Sequence, residues 1–373
     1  MKLTNAEIFV DGAFVHGSIE FQEKIEKVLP GDGGIGTLPG ENLNGAYLIP
    51  GLIDIHTHGA MNEDASDGNS AGLRKMSRFY AENGVTSWCP TTMTIPVPEI
   101  EKALETVRDF VPENDAKIAG VHMEGPFLSP EKSGAQNPGA LRIPDAELWK
   151  KLNALSGNRI RLVTVAPELP GAMDFIREVS KTATVSLGHT TADYETAVKA
   201  FENGASHLTH TYNCMPGLHH RAPGTVPAAM DKNATAELIA DGFHVHPAMV
   251  RLTFQCFGEN VCLVSDSLRC TGMPEGDYKL GGLDVSMKDG RAVLSGTDTL
   301  AGSSVSLMEC VRRAVSFGIP LPAAVTAATK TPAKVIGMEK EIGSIAAGKA
   351  ADLVVLDKDL QIVQVYINGK TIL

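Results

Sequence analysis

The chain has 373 residues, 43% hydrophobic and 21% charged, a globular composition with length for one large domain plus a small one. Its net charge of −11, with no dense Lys/Arg run, argues against nucleic acid or an anionic membrane as the main partner, because both favour a basic stripe. An anionic substrate would therefore need positive charge concentrated locally.

The opening stretch MKLTNAEIFV interrupts its apolar residues with Asn5 and Glu7, and no membrane-length apolar run follows, so a cytoplasmic protein without a membrane partner is expected. AEIFVDGAFV alternates like a strand pair around an Asp-Gly turn. From residue 51 to 345 short apolar runs alternate with amphipathic helical patterns, the rhythm of βα units around a parallel sheet. Eight runs are predicted as strands: 52–58, 85–90, 117–124, 160–167, 183–189, 206–212, 236–242 and 260–266. Helical patterns such as GLRKMSRFYAENG and YETAVKAFENG close with Asn-Gly, a usual helix stop. An irregular insert at 267–302 contains LDVSMKDGRAVL, which predicts a hairpin at Asp289-Gly290 lying over the barrel mouth. The last segment, 346–373, again alternates as antiparallel strands. The expected division is a small β domain from 1–50 and 346–373 beside a barrel at 51–345. The six cysteines form no CxxC pair, which fits reduced, mostly buried thiols.

A strand alternates faces with period two, so Asp54, His56 and His58 share one side. Further polar residues fall at C-terminal strand ends: Glu124 on the third, His189 on the fifth, His210 on the sixth and Asp266 on the eighth. Barrel enzymes build their sites on that face from several strands. Imidazole nitrogens and carboxylate oxygens are ligands for Zn²⁺ and Fe²⁺, and a catalytic ion keeps one position open. Four His and one Glu exceed the needs of one ion. Either two ions share Glu124, or one ion uses Glu124, His189 and His210 while His56 and His58 serve a weaker position. Asp266 suits a ligand or a proton acceptor, and Asp54, deeper on the same face, suits orientation of ligands from behind. His122 is assigned a hydrogen-bonded core role, His16 and His207 no site role, and His219 and His220 a solvated loop.

PGLIDIHTHG, HMEGPF with GAQNPGA, LGHT, HTYNCMPGLHHRAPG, ADGFHV, LVSD and LAGS, in that order, resemble the amidohydrolase superfamily, most closely its branch acting on phosphorylated N-acetyl sugars. The resemblance implies a (β/α)₈ TIM-like barrel with a small β-sandwich from both termini, one or two divalent ions (Zn²⁺ or Fe²⁺), and a homodimer. It implies Glu124, His189 and His210 as principal metal ligands, His56 and His58 as a second-metal pair, and Asp266 as the catalytic acid/base. It also implies substrate contacts at Ala135, Gln136, Asn213, Cys214, Arg221, His244, Leu300, Ala301 and Gly302. Two positions depart from the pattern: Gln136 stands where some members have His, and Cys214 where Ala is usual.

The implied reaction is hydrolysis of the acetamide of N-acetylglucosamine 6-phosphate by metal-bound hydroxide, Asp266 moving the proton. Arg221 is the expected phosphate group, since a guanidinium binds phosphate oxygens as a fork. The rivals are the galactosamine epimer, a cyclic amide and an inactive barrel. The fourth run, IRLVTVAPE, lacks the lysine that would favour the cyclic amide.

Overall fold

The protein is described by a computed structural model covering residues 1–31 and 40–372. Residues 32–39 of the first expected segment and Leu373 of the last lie outside the described residues. Lys2–Val10 and Ala13–Phe21 form the predicted hairpin, whose turn residues Asp11 and Gly12 take φ of +48° and +84°. A two-residue turn with both φ positive matches the twist of its strands.

Both termini enter one sheet. Leu353–Leu356 pairs antiparallel with Tyr47–Pro50, and Ile362–Ile367 continues the sheet beyond it. Leu3, Ile8, Ile19, Phe21, Leu353 and Tyr366 fill its core, each completely buried. One pairing differs from the antiparallel expectation: Lys2–Val10 runs parallel to Tyr47–Pro50. The chain crosses from one edge of the meander to the other before Tyr47, and so returns in the original direction.

The barrel strands are β1 (Leu52–Thr57), β2 (Val85–Thr92), β3 (Val121–Glu124), β4 (Ile160–Val165), β5 (Thr184–Leu187), β6 (His207–Leu208), β7 (Thr235–Leu238) and β8 (Val261–Leu263). They pair in parallel, each with the next in sequence. Closure between β8 and β1 occurs at the C-terminal rim, where Asp266 N–H donates to the His56 carbonyl and His58 N–H to the Ser267 carbonyl, each at 2.9 Å. Asp54 reinforces this closure: its carboxylate accepts from the Ser265 hydroxyl at 2.5 Å and the Ser265 N–H at 3.3 Å. Asp54 thus braces the segment carrying Asp266 from behind the rim, and also accepts from the His56 N–H at 3.4 Å.

The outer helices begin and end as their sequences dictate. Asn69 caps Ser70–Glu82 by accepting from Ala71 N–H at 3.1 Å, and Asp193 caps Tyr194–Glu202 by accepting from Thr196 N–H at 2.8 Å. The insert is a four-stranded antiparallel meander, Gly276–Leu280, Leu283–Lys288, Arg291–Leu294 and Leu300–Gly302. Asp289 and Gly290 make its predicted turn with φ of +50° and +73°. Among the described residues no helix is long and apolar enough to cross a membrane.

Candidate active site

Backbone strain marks the places where the site is built. His189, His210 and Asp266 lie just past the ends of β5, β6 and β8, and take φ of +47°, +26° and +48°. Left-handed backbone costs a residue with a β-carbon about 1 kcal/mol or more and tends to mark functional turns. It also explains why these strands are shorter than their apolar runs: the chain breaks out of the ladder to turn its side chains inward.

The side chains converge. One Glu124 oxygen lies 3.2 Å from His189 Nε2 and 3.0 Å from His210 Nε2, and those two nitrogens are 3.0 Å apart. The other Glu124 oxygen lies 3.2 Å from His58 Nε2, which is 3.3 Å from His56 Nε2. Asp266 Oδ1 stands 3.4 Å from His58 and 3.6 Å from His56. Glu124 therefore bridges the two imidazole pairs, and all these residues are buried.

The tautomers state what the cluster holds. His189 Nδ1–H donates to the Lys132 carbonyl at 2.7 Å, His58 Nδ1–H to the Thr91 carbonyl at 3.2 Å, and His56 Nδ1–H to Glu237 at 2.8 Å. In neutral rings so arranged, the Nε2 lone pairs face each other and the carboxylates, which repels unless a cation sits among them. Ligands about 2.1 Å from a common ion stand roughly 3.0–3.4 Å apart, so the spacing fits a divalent metal. The donor sets Glu124–His189–His210 and His56–His58–Glu124 each gather their ligand atoms within 4.8 Å. Without metal, protons do this work. Burial opposes charging of His58, yet Asp266 and Glu124 beside it lift its pKa to about 9. Burial likewise opposes ionisation of Glu124, but His56, His189 and His210 hold it well below the usual carboxylate range.

Behind the first set lies a chain of groups that the sequence reading left out. Glu237, fully buried on β7, accepts from His56 Nδ1 at 2.8 Å, from His210 N–H at 2.9 Å, and lies 3.2 Å from His207 Nε2. His207, expected to have no site role, is thus linked through Glu237 to His56. The signal was present: a glutamate inside a buried parallel strand needs partners. His122 keeps its core assignment, donating Nδ1–H to the Ile55 carbonyl at 3.1 Å and accepting from Thr164 at 2.8 Å. Burial and the neighbouring His56 push its pKa down to about 3.

A cavity of about 290 Å³ opens onto the cluster. Ala135, Gln136, Asn213, Cys214, His244, Leu300, Ala301 and Gly302 line it, together with Arg291 and Asp298, which the sequence did not single out. Arg221 does not line it; the residue is exposed and lies 2.7 Å from His220 Nε2. Gln136 is committed to the cluster, its amide donating to Glu124 at 2.6 Å and accepting from Thr94 N–H at 2.7 Å. These bonds hold the Glu124 carboxylate in place while Gln136 still lines the cavity. His244 Nδ1 is 2.7 Å from Asp241, and this pair raises the His244 pKa against the opposing effect of burial. A larger cavity of about 510 Å³, between Pro247–Phe257 and Leu321–Ala328, lacks a comparable cluster of ligating groups.

Comparison with known proteins agrees with this geometry. The Amidohydrolase family profile matches residues 47–372. An N-acetylglucosamine-6-phosphate deacetylase of Vibrio furnissii is 37% identical, the match covering 87% of this chain and 82% of that protein. An N-acetylgalactosamine-6-phosphate deacetylase of Escherichia coli is 38% identical, covering 87% of each. The structure of a Mycobacterium smegmatis N-acetyl-D-glucosamine-6-phosphate deacetylase mutant, in complex with N-acetyl-D-glucosamine-6-phosphate, superposes with a TM-score of 0.94 at 31% identity, covering 100% of this chain and 99% of that one. With a matching profile over most of its length, and with imidazoles and a bridging carboxylate at the rim of a parallel barrel, this chain belongs to the amidohydrolase family.

Proposed function

We propose that the protein hydrolyses the acetamide of N-acetylglucosamine 6-phosphate, giving glucosamine 6-phosphate and acetate, in amino-sugar catabolism or recycling. The observation that carries this reading is the convergence of Glu124, His189 and His210 beside Asp266 in one cavity. Glu124, His189 and His210 would hold a divalent cation, Zn²⁺ or Fe²⁺, which when bound would supply Lewis acidity toward an amide carbonyl and water. His56 and His58 offer a second position sharing Glu124.

This chain's own residues supply the rest. Gln136 and Glu237 fix the rotamers of Glu124 and His56, so the donors are aimed before substrate arrives. Asp266, lining the cavity, takes a proton from the attacking water and returns it to the departing sugar nitrogen as the C–N bond breaks. His244 grips the sugar, held in place by Asp241. The backbone of Leu300, Ala301 and Gly302 and the Ala135, Asn213 and Cys214 positions shape the pocket around it.

We place the protein in the cytoplasm as a homodimer, with 51–345 as the catalytic barrel and 1–50 with 346–373 as the β domain. Arg221 serves phosphate binding in this reading by reaching the neighbouring copy's cavity, because it lies outside its own. Arg221→Ala is expected to raise KM far more than it lowers kcat, and an unchanged KM rejects that role.

The decisive assay is acetate release by purified protein from N-acetylglucosamine 6-phosphate, abolished by chelation and restored by Zn²⁺ or Fe²⁺. The galactosamine epimer is run in parallel, since relatives named for each sugar are equally similar to this chain. Faster turnover of the epimer reassigns the substrate; no turnover of either rejects the deacetylase reading.

A further inference from the structure

His189 reaches Glu124 and His210 from left-handed backbone just past β5, a conformation that its surroundings must hold in place. The ring is pinned through Nδ1 to the Lys132 carbonyl. On the main chain, Ser129 N–H donates to the His189 carbonyl and Thr190 N–H to the Cys214 carbonyl, each at 3.0 Å. The remaining hold comes from a side chain at the end of another strand.

Glu168 lies three residues past β4, half-buried, and its carboxylate grips the two residues that follow His189. The Thr190 hydroxyl donates to Oε2 at 2.5 Å, while Thr191 N–H and the Thr191 hydroxyl donate to Oε1 at 2.7 and 3.0 Å. Thr190 is completely buried, and its oxygen accepts in turn from Ala192 N–H at 2.9 Å. Removing the carboxylate would leave a buried hydroxyl proton without an acceptor. The helix that follows does not need this clamp, since Asp193 already caps it. What Glu168 holds is the stretch between the imidazole and the cap. It does not line the cavity, so any effect on the chemistry passes through His189. Bonds to an ionised acceptor are stronger than neutral ones, which suits a group that must stabilise strained backbone.

We infer that Glu168 is a positioning residue: through Thr190 and Thr191 it keeps His189 in the conformation that aims Nε2 at the metal position. The assignment rests on the reading of Glu124, His189 and His210 as metal ligands.

The test compares wild-type, Glu168→Gln and Glu168→Ala proteins. Each is titrated with Zn²⁺ against a chromophoric chelator, loaded with Co²⁺ for its visible absorption bands, and melted without metal. Glu168→Gln can keep both Thr191 bonds through its amide oxygen, but its NH₂ group cannot accept the Thr190 proton. Its Zn²⁺ affinity is expected to fall about tenfold and its Co²⁺ bands to shift, because those bands report ligand geometry. Glu168→Ala loses all three bonds and should fall about 100-fold. Wild-type Zn²⁺ affinity in Glu168→Gln overturns the positioning role, whether or not the melting temperature drops. Weaker binding with unchanged Co²⁺ bands overturns it too, since that marks a loss of fold stability alone. A wild-type protein that binds no Zn²⁺ overturns the metal reading beneath it.

Discussion

In the terminal sheet, Phe21 packs edge-on against Tyr366 with ring centroids 5.3 Å apart, and both side chains are completely buried. At the barrel rim, positions just as buried hold His56, Glu124 and Glu237. Burial has opposite consequences in the two places. Removing apolar area from water stabilises the sheet by roughly 25 cal/mol per Å², whereas an imidazole or carboxylate removed from water costs stability unless each polar atom finds a partner. The sheet needs only complementary shape. The rim needs a specified set of hydrogen bonds, and His210 Nδ1 is still buried without one. The rim is thus organised around what it binds, and the apolar cores offset its cost.

The largest expected effect is at the bridging carboxylate. Glu124→Gln removes a charge that both imidazole pairs share, and kcat/KM should fall roughly 10³-fold or more along with bound metal. Elemental analysis beside the acetate assay checks this, and a fully metallated, inactive variant would contradict the bridging role. Phe21→Ala probes the other region: about 3–5 kcal/mol of stability should be lost, read from urea unfolding, while the folded fraction keeps its metal affinity. If that affinity collapsed too, the two regions would be energetically coupled rather than separable.

Glu237→Ala tests whether the groups behind the rim matter. It leaves His56 Nδ1 and His210 N–H without an acceptor, so metal affinity should drop about 10- to 100-fold. Glu237→Gln should recover part, since an amide oxygen still accepts from both. The smallest effect is a pH dependence. His58 in metal-free protein titrates at about 9, above its ordinary value of 6.5, so its contribution to stability is complete below 6.5 and is lost as pH rises through 9. Metal displaces that proton, so apparent affinity from chelator competition should climb with pH up to about 9 and then level off. A flat profile would mean that His58 carries no proton to displace.

Much of this was legible from local pattern. The two-residue alternation of Asp54, His56 and His58 places the rings together, and they do meet at 3.3 Å. Glu237 and His207 were passed over because one glutamate in an apolar run reads as noise until its neighbours across the sheet are known. Arg221 stood out because a guanidinium in the loop after β6 can bind phosphate as a fork, but that it lies outside its own chain's cavity depends on how the loop packs. Arg291 did not stand out, because its place in the cavity wall depends on the pairing of Ala292 with Gly302.

The sequence by itself determined the strand count, the Asn-Gly helix stops, the Asp-Gly turns and which polar residues follow each barrel strand, because these follow from sterics and periodicity over short stretches of chain. Only the tertiary structure decided that Glu124 bridges two imidazole pairs, that Asp54 locks β1 to the segment after β8, and that an arginine from a distant hairpin faces the cavity. Those relations join residues up to 211 positions apart, as Asp54 and Ser265 are, and exist only once barrel closure has brought the segments together.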